Sequence, residues 1–257
     1  MPNALSLFDL SGRVAVVTGA ASGLGRSVAL AYADAGADVA LADVSAEPLA
    51  AVAGEVEAKG RKVIARAVDV TSREAVERFH DDVLATFGRA DILANAAGIT
   101  KRMPSEDFAE EDFARVLSVN LFGTFRTCQV FGRTMLRQGK GSIVNFASVG
   151  GLVGLYNSLA YSASKGGVVQ LTRVFALEWA QRGVRVNALA PCTFETPLVK
   201  QVLEYDPAYR QTVEAGIPMG RPGQPEEIVG AALFLASDAS AMVTGHILAV
   251  DGGYLAR

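Results

Sequence analysis

The chain predicts a doubly wound α/β fold: a parallel sheet of about seven strands with helices on both faces, in a single domain spanning residues 1–257. Three observations carry this. Short β-branched runs alternate with Ala- and Leu-rich helical stretches along the whole chain. The polar and glycine-rich signals follow the strands, where ligands of such sheets bind. No Pro/Gly/Ser-rich linker and no short-period repeat divides the sequence.

Arg13 to Thr18 reads as a buried strand and Arg26 to Ala35 as a helix stopped by Gly36. Strands follow at Asp38 to Ala42, Arg61 to Val68, Asp91 to Ala94, Ser142 to Ala147, Val184 to Leu189 and His246 to Val250. Helices are expected at Ala46 to Lys59, Ser72 to Phe87, Ser158 to Ala180 and Pro225 to Ala236, with Ser72 as a cap. Glu110 to Leu136 reads as one long helix or a helix with a bend.

Composition removes several function classes. Half of the residues are hydrophobic, enough for a sizeable core. The net charge of −3, without a basic run, gives no global attraction to nucleic acid. The two cysteines, Cys128 and Cys192, have no metal-ligand spacing, so neither a disulfide framework nor a metal site is expected. They fit a reducing compartment. Met1 to Leu10 lacks the basic start and apolar run of a signal peptide, and no apolar run reaches membrane-spanning length. A cytoplasmic protein is the expectation.

Two local patterns carry chemistry. Gly19-Ala20-Ala21-Ser22-Gly23-Leu24-Gly25 lies between a strand and a helix. Glycines there let the backbone approach a ligand, and the unpaired N–H groups of the helix start face an anion, so the turn reads as a phosphate site. Asp43 ends the next strand, about twenty residues on, where an acid accepts hydrogen bonds from both hydroxyls of an adenosine ribose. The second pattern is Tyr161-Ser162-Ala163-Ser164-Lys165. Residues four apart share a helix face, and an ammonium beside a phenol lowers its pKa from about 10. The pair reads as a general acid/base aimed at a hydroxyl or carbonyl.

With these in place the chain resembles the short-chain dehydrogenase/reductase family over nearly its whole length, and hence a Rossmann-like fold. The glycine turn has that family's Thr18-Gly19-x-x-x-Gly23-x-Gly25 spacing, and Asn95-Ala96-Ala97-Gly98 matches its N-x-A-G element. Asn120, Ser148, Tyr161 and Lys165 match its catalytic tetrad in order. Asp69-Val70-Thr71, Pro191, Thr196 and the terminal Asp251-Gly252-Gly253 match as well. The family often has glycine where this chain has Cys192, which is expected to be a small buried side chain.

The resemblance implies hydride transfer between a nicotinamide and a carbinol or carbonyl carbon. Tyr161 would move the proton, Lys165 would lower its pKa and hold the nicotinamide ribose, and Ser148 would bond the substrate oxygen. Asn120 would position a water relaying protons to Lys165. Plain structural roles stand beside these: Asn120 bending a helix, Ser148 capping a turn. The cofactor set implied is Gly19, Ser22, Gly23, Leu24, Gly25, Asp43, Asp69, Val70, Asn95, Ala96, Gly98, Tyr161, Lys165, Pro191, Thr193 and Thr196. A 2′-phosphate beside Asp43 would meet like charge, and Ala20, Ala21 and Val44 offer no cation, so NAD is expected over NADP.

For the substrate, Thr193 to Gly216 reads as a lid containing Pro197, Pro207, Tyr205 and Tyr209. Ile99-Thr100-Lys101-Arg102-Met103-Pro104 would rim the pocket, and Arg102 suits a carboxylate; an ordinary solvated pair is the competing reading. The loop resembles those of sugar-acid dehydrogenases in the family, so a sugar acid or polyol is favoured. The chain also resembles 3-oxoacyl-(acyl-carrier-protein) reductases, for which Arg133, Arg137, Lys140 and Arg182 could dock an acidic carrier. A catalytically idle dinucleotide-binding module is a remote third reading. Members of this family pair through their two long helices, so a homotetramer is expected.

Overall fold

The computed structural model describes residues 3–196, 199–200 and 207–256, with the backbone alone for 207–209. Seven strands form one parallel sheet in the order β3-β2-β1-β4-β5-β6-β7. They are β1 (Val14–Thr18), β2 (Asp38–Asp43), β3 (Val63–Ala67), β4 (Ile92–Asn95), β5 (Gly141–Phe146), β6 (Val184–Pro191) and β7 (Ile247–Val250). The helices are α1 (Gly23–Asp34), α2 (Ala46–Ala58), α3 (Arg73–Phe87), α4 (Glu110–Leu117), α5 (Thr124–Gln138), α6 (Leu159–Trp179), α7 (Pro207–Gly216) and α8 (Val229–Ala236).

The period-2 alternation of the strands separates two cores. Ala15 and Val17 of β1 and Val39 and Leu41 of β2 face Val28, Tyr32, Leu49 and Leu235, so α1, α2 and α8 cover that side. Val14, Val16, Ala40 and Ala42 face Val76, Phe79, Phe131, Met135 and Trp179, so α3, α5 and α6 cover the other. Strand order reverses between β1 and β4, which opens a crevice beyond their C-terminal ends.

The expected elements are present, but Pro225 to Ala236 opens on a 3-10 turn at Pro225–Ile228 before α8, and four further differences have a physical origin. Helix α1 starts at Gly23 rather than Arg26, because Ser22 is already extended and serves as its N-cap. Strand β3 starts at Val63: the backbone N–H of Lys62 and the Arg61 guanidinium both bond Asp38 instead. Strand β6 runs through Pro191, since the bond to the Val250 carbonyl comes from Cys192 N at 3.3 Å and needs no proline N–H. Glu110 to Leu136 is neither one straight helix nor a simple bend; a π-helical segment at Ser118–Gly123 joins α4 to α5.

One glycine tests the α5–α6 packing. A Cβ on Gly132 would lie 2.6 Å from the Trp179 ring, whereas one on Gly54, exposed in α2, would meet nothing within 4 Å. Gly132→Ala is expected to lower the unfolding free energy by about 1–3 kcal/mol. Gly54→Ala is expected to raise it by about 0.5–1 kcal/mol. Urea midpoints of the two variants check both; shifts of the same sign would mean that helix propensity, not packing, governs position 132.

Candidate active site

The turn after β1 and the segment after β4 meet in the crevice. Gly19 has φ +68°, and a Cβ there would lie 2.6 Å from Ala97 N. A Cβ on Gly25 would lie 2.1 Å from Gly19 O, so neither position accepts a side chain. Ala96 N and Ala97 N bond the Thr18 carbonyl and hydroxyl at 3.2 and 3.4 Å. Ser22 is exposed and its side chain makes no capping bond, leaving its hydroxyl at the helix N-terminus. The Asp43 carboxylate accepts from Ala21 N at 3.1 Å and Ser45 N at 3.0 Å, tying the end of β2 to the glycine turn. Thr196 reaches the same turn: its Cγ2 is 3.2 Å from a Cβ built on Gly23. A backbone cradle at a helix start, with a carboxylate beside it, fits a dinucleotide.

Ser148, Tyr161 and Lys165 gather at the ends of β5 and β6. Ser148 follows β5, and its hydroxyl accepts from Gly150 N at 3.1 Å. It also lies 3.5 Å from Pro191 O, linking the two strand ends. The first turns of α6 carry Tyr161 and Lys165, with Lys165 Nζ 5.7 Å from the Tyr161 ring centre. Lys165 is buried and donates to Phe146 O at 2.6 Å. Burial pulls its ammonium down to about 8. The Tyr161 phenol moves the other way: burial pushes it above its ordinary value, and the hydrogen bond with Ser148 opposes this only in part. The expectation of a phenol lowered by Lys165 is therefore corrected here, because burial disfavours the charged form of both partners.

Asn120 sits in the π segment, fully buried. Its Oδ1 accepts from Ile99 N at 2.8 Å, and its Nδ2 donates to Ile99 O at 2.9 Å and Ser164 Oγ at 3.0 Å. The amide thus fastens the loop after β4 to α6 with both of its N–H donors, while Oδ1 keeps a second lone pair and the main-chain oxygen accepts from Thr124 Oγ1 at 2.7 Å. A Cβ on Gly98 would lie 3.3 Å from Asn120 Oδ1 and 3.6 Å from Lys165 Nζ, so the N-x-A-G segment ends against this group.

Other expected residues divide. Asn95 does not turn its side chain to the crevice. Its amide donates to Asn145 Oδ1 at 2.9 Å and accepts from Thr127 Oγ1 at 2.7 Å, in a buried network that continues to Thr172. The polar Asn145 within an apolar strand was the signal for that network. Asp69 is exposed and accepts from Thr71 N at 2.8 Å, while Val70 is buried against Gly123. Thr193 is joined through its carbonyl to Gly223 N at 2.9 Å. Cys192 is half-buried, and burial followed by the nearby Asp251 charge pushes its thiol up to about 11. It lines a cavity of about 170 Å³ with Phe194, Ile217, Met219 and Val250, as an inert small side chain would. Of the lid, Val199 and Val213 pack beside Cys192, Ile217 and Tyr254. Pro197 and Tyr205, and the side chains of Pro207 and Tyr209, lie outside the described residues. Lys101 forms an ion pair with Asp112, and Arg102 Nη2 lies 3.4 Å from Tyr156 O.

A family model described as enoyl-(acyl carrier protein) reductase matches residues 19–255. The chain belongs to the short-chain dehydrogenase/reductase family. It is 44% identical to D-threitol dehydrogenase of Mycolicibacterium smegmatis, over 96% of this chain and 94% of that one. It is 41% identical to a 3-oxoacyl-[acyl-carrier-protein] reductase of Thermotoga maritima, over 95% and 98% of the two chains. The crystal structure of a gluconate 5-dehydrogenase from Burkholderia cenocepacia, in complex with NADP and tartrate, superposes with a TM-score of 0.94 at 37% identity, covering 99% of this chain and 100% of that one. The chain is thus an oxidoreductase of the kind that works with a nicotinamide cofactor.

The buried lysine has a measurable signature. Its pKa is about 8 in the folded protein against an ordinary 10.5, so between those values the unfolded chain holds the extra proton. Below that window both states are charged and the folded one carries the desolvation cost; above it neither does. The unfolding free energy of the wild type, minus that of Lys165→Met, is expected to rise with pH across the window by on the order of 3 kcal/mol. Urea titrations at several pH values check this; a flat difference would mean that burial does not penalise the ammonium.

Proposed function

We propose that this chain transfers a hydride between NAD(H) and the carbinol or carbonyl carbon of a sugar acid or polyol, with Tyr161 as the general acid/base. The observation that carries the reading is the gathering of Ser148, Tyr161 and Lys165 at the same strand ends as the glycine turn. When bound, the nicotinamide supplies the hydride acceptor or donor. Tyr161 Oη takes the substrate's hydroxyl proton during oxidation and returns it during reduction. Ser148 Oγ, held between Gly150 N and Pro191 O at the end of β5, orients the substrate oxygen. Lys165 Nζ supplies positive charge beside the ring when protonated, and Asn120 holds the loop that borders the pocket. The ribose and phosphate contacts come from Gly19, Ser22, Gly23, Leu24, Gly25, Asp43 and Thr196, with the Asp69-Val70, Asn95–Gly98 and Pro191–Thr193 segments alongside.

Asp43 supports NAD. Its carboxylate stands beside Ala21 and Ser45, and a 2′-phosphate would add like charge there. Similarity to a D-threitol dehydrogenase and a gluconate 5-dehydrogenase supports a polyol or sugar acid. The acyl-carrier reading is weaker on geometry. Lys140 and Arg182 precede β5 and β6, and Arg133 and Arg137 lie towards the end of α5. They therefore flank the opposite end of a sheet about 20 Å deep from Tyr161. Exposed Phe122 in the π segment and Val174 and Leu177 on α6 support a homotetramer paired through the long helices. Two free thiols suit the cytoplasm.

Reduction of NAD, followed by absorbance across sugar acids, polyols and simple secondary alcohols, tests the reading. Tyr161→Phe keeps the ring and removes the proton; it is expected to lower kcat by about 10²–10⁴ with NAD binding intact. Near-wild-type turnover would remove Tyr161 from the mechanism. Arg102→Ala is expected to raise KM for acidic substrates more than for neutral ones; equal effects would count against a carboxylate contact.

Asp43 is tested separately. The wild type is expected to show the higher kcat/KM with NAD, and Asp43→Asn to narrow the NAD/NADP ratio by about tenfold or more. A wild-type preference for NADP would overturn the cofactor assignment.

A further inference from the structure

Two loops adjoin the start of α6, which carries Tyr161 and Lys165. Ile99–Pro104 follows β4, and Leu152–Asn157 leads into α6. Among the described residues Asn157 is the only non-glycine with positive φ, at +56°. L-residues avoid this region, and asparagine is among the few that enter it at small cost. The conformation sets the backbone of a specific pair. Met103 N donates to Asn157 O at 3.1 Å, and Arg102 Nη2 lies 3.4 Å from Tyr156 O. Ser158 Oγ donates to the same Tyr156 carbonyl at 3.1 Å, and Ser158 is the N-cap of α6.

The first loop is therefore tied to α6 twice. At Ile99 the tie runs through Asn120 to Ser164. At Met103 it runs through Asn157, four residues before Tyr161. Between the two ties lie Lys101, paired with Asp112, and Arg102. The ties close a ring in which the loop cannot shift relative to the general acid/base without breaking one of them. Tyr156, 93% exposed, stands at the outer edge of the ring.

We propose that Asn157 is a positioning residue for substrate selectivity: by holding a left-handed turn it clamps the Ile99–Met103 loop to the helix that carries Tyr161. The substrate affected is the polar alcohol of the preceding section, so the kinetic arm rests on that reading. The clamp itself does not, and it has a readout independent of turnover.

Asn157→Gly keeps access to the left-handed turn, whereas Asn157→Val is denied it by branching at Cβ. Three measurements are made on each variant: amide hydrogen exchange at Met103, KM for the alcohol, and KM for the nicotinamide. In Asn157→Val the Met103 amide is expected to exchange at least about tenfold faster, with alcohol KM raised about five- to tenfold and nicotinamide KM within about twofold of the wild type. Asn157→Gly is expected to recover most of both effects. Unchanged Met103 exchange in Asn157→Val overturns the clamp. Faster exchange with equal rises in both KM values, or a glycine variant as impaired as the valine one, overturns the assignment to selectivity. If the wild type turns over no alcohol, the functional reading fails while the exchange result still decides the clamp.

Discussion

The site depends on one close approach. At the switch between β1 and β4, the Gly19 turn packs against the Ala96–Ala97 backbone with no room for a side chain on either Gly19 or Gly25. The parallel sheet makes that meeting inevitable, since neighbouring strands that feed helices on opposite faces leave a crevice at their C-terminal ends. What the packing adds is its narrowness. With Gly19 flush against Ala97, and Thr18 bonded to both Ala96 and Ala97, the glycine turn and the N-x-A-G segment behave as one surface. Asp43 extends that surface by bonding Ala21. The carboxylate thus has a structural partner as well as the ribose role proposed for it.

A second constraint is the cost of burying charge. Lys165 is enclosed by the ends of β5 and α6 and has a strand carbonyl as its hydrogen-bond partner. Its ammonium is disfavoured there, and the phenolate of Tyr161 is disfavoured beside it. Neither group is favoured in its charged form there, which fits the proton exchange proposed for Tyr161. Asn120 contributes through architecture. The π segment turns it inward between Ile99 and Ser164, where both of its amide N–H donors are used. A regular helix over the same residues would present a different face at position 120, because each π turn shifts the residues that follow it.

Much of the site was legible because its signals are local. The strand–glycine–helix order of residues 14–34, the acid at the end of β2 and the four-residue spacing of Tyr161 and Lys165 each depend on a few neighbours in sequence. Ser148, Tyr161 and Lys165 lie at the ends of β5 and β6 and the start of α6. Asn95 shows where local reading stops. Its motif put it in the expected cofactor set, yet its side chain completes a network with Asn145, Thr127 and Thr172, residues far along the chain. Asn157 shows the same limit: its residue type permits a left-handed turn without requiring one, and its partner Met103 lies on another loop.

The sequence by itself determined the alternation of strands and helices, the two-sided core and the identity of the chemical groups. Periodicity and residue type are properties of the chain alone. Tertiary structure decided the direction in which each group titrates, which amides are committed, and how the pocket loops are fastened to α6. Those outcomes depend on burial and on hydrogen bonds between distant segments, such as Lys165 to Phe146 and Asn120 to both Ile99 and Ser164, and such distances exist only once the sheet has assembled.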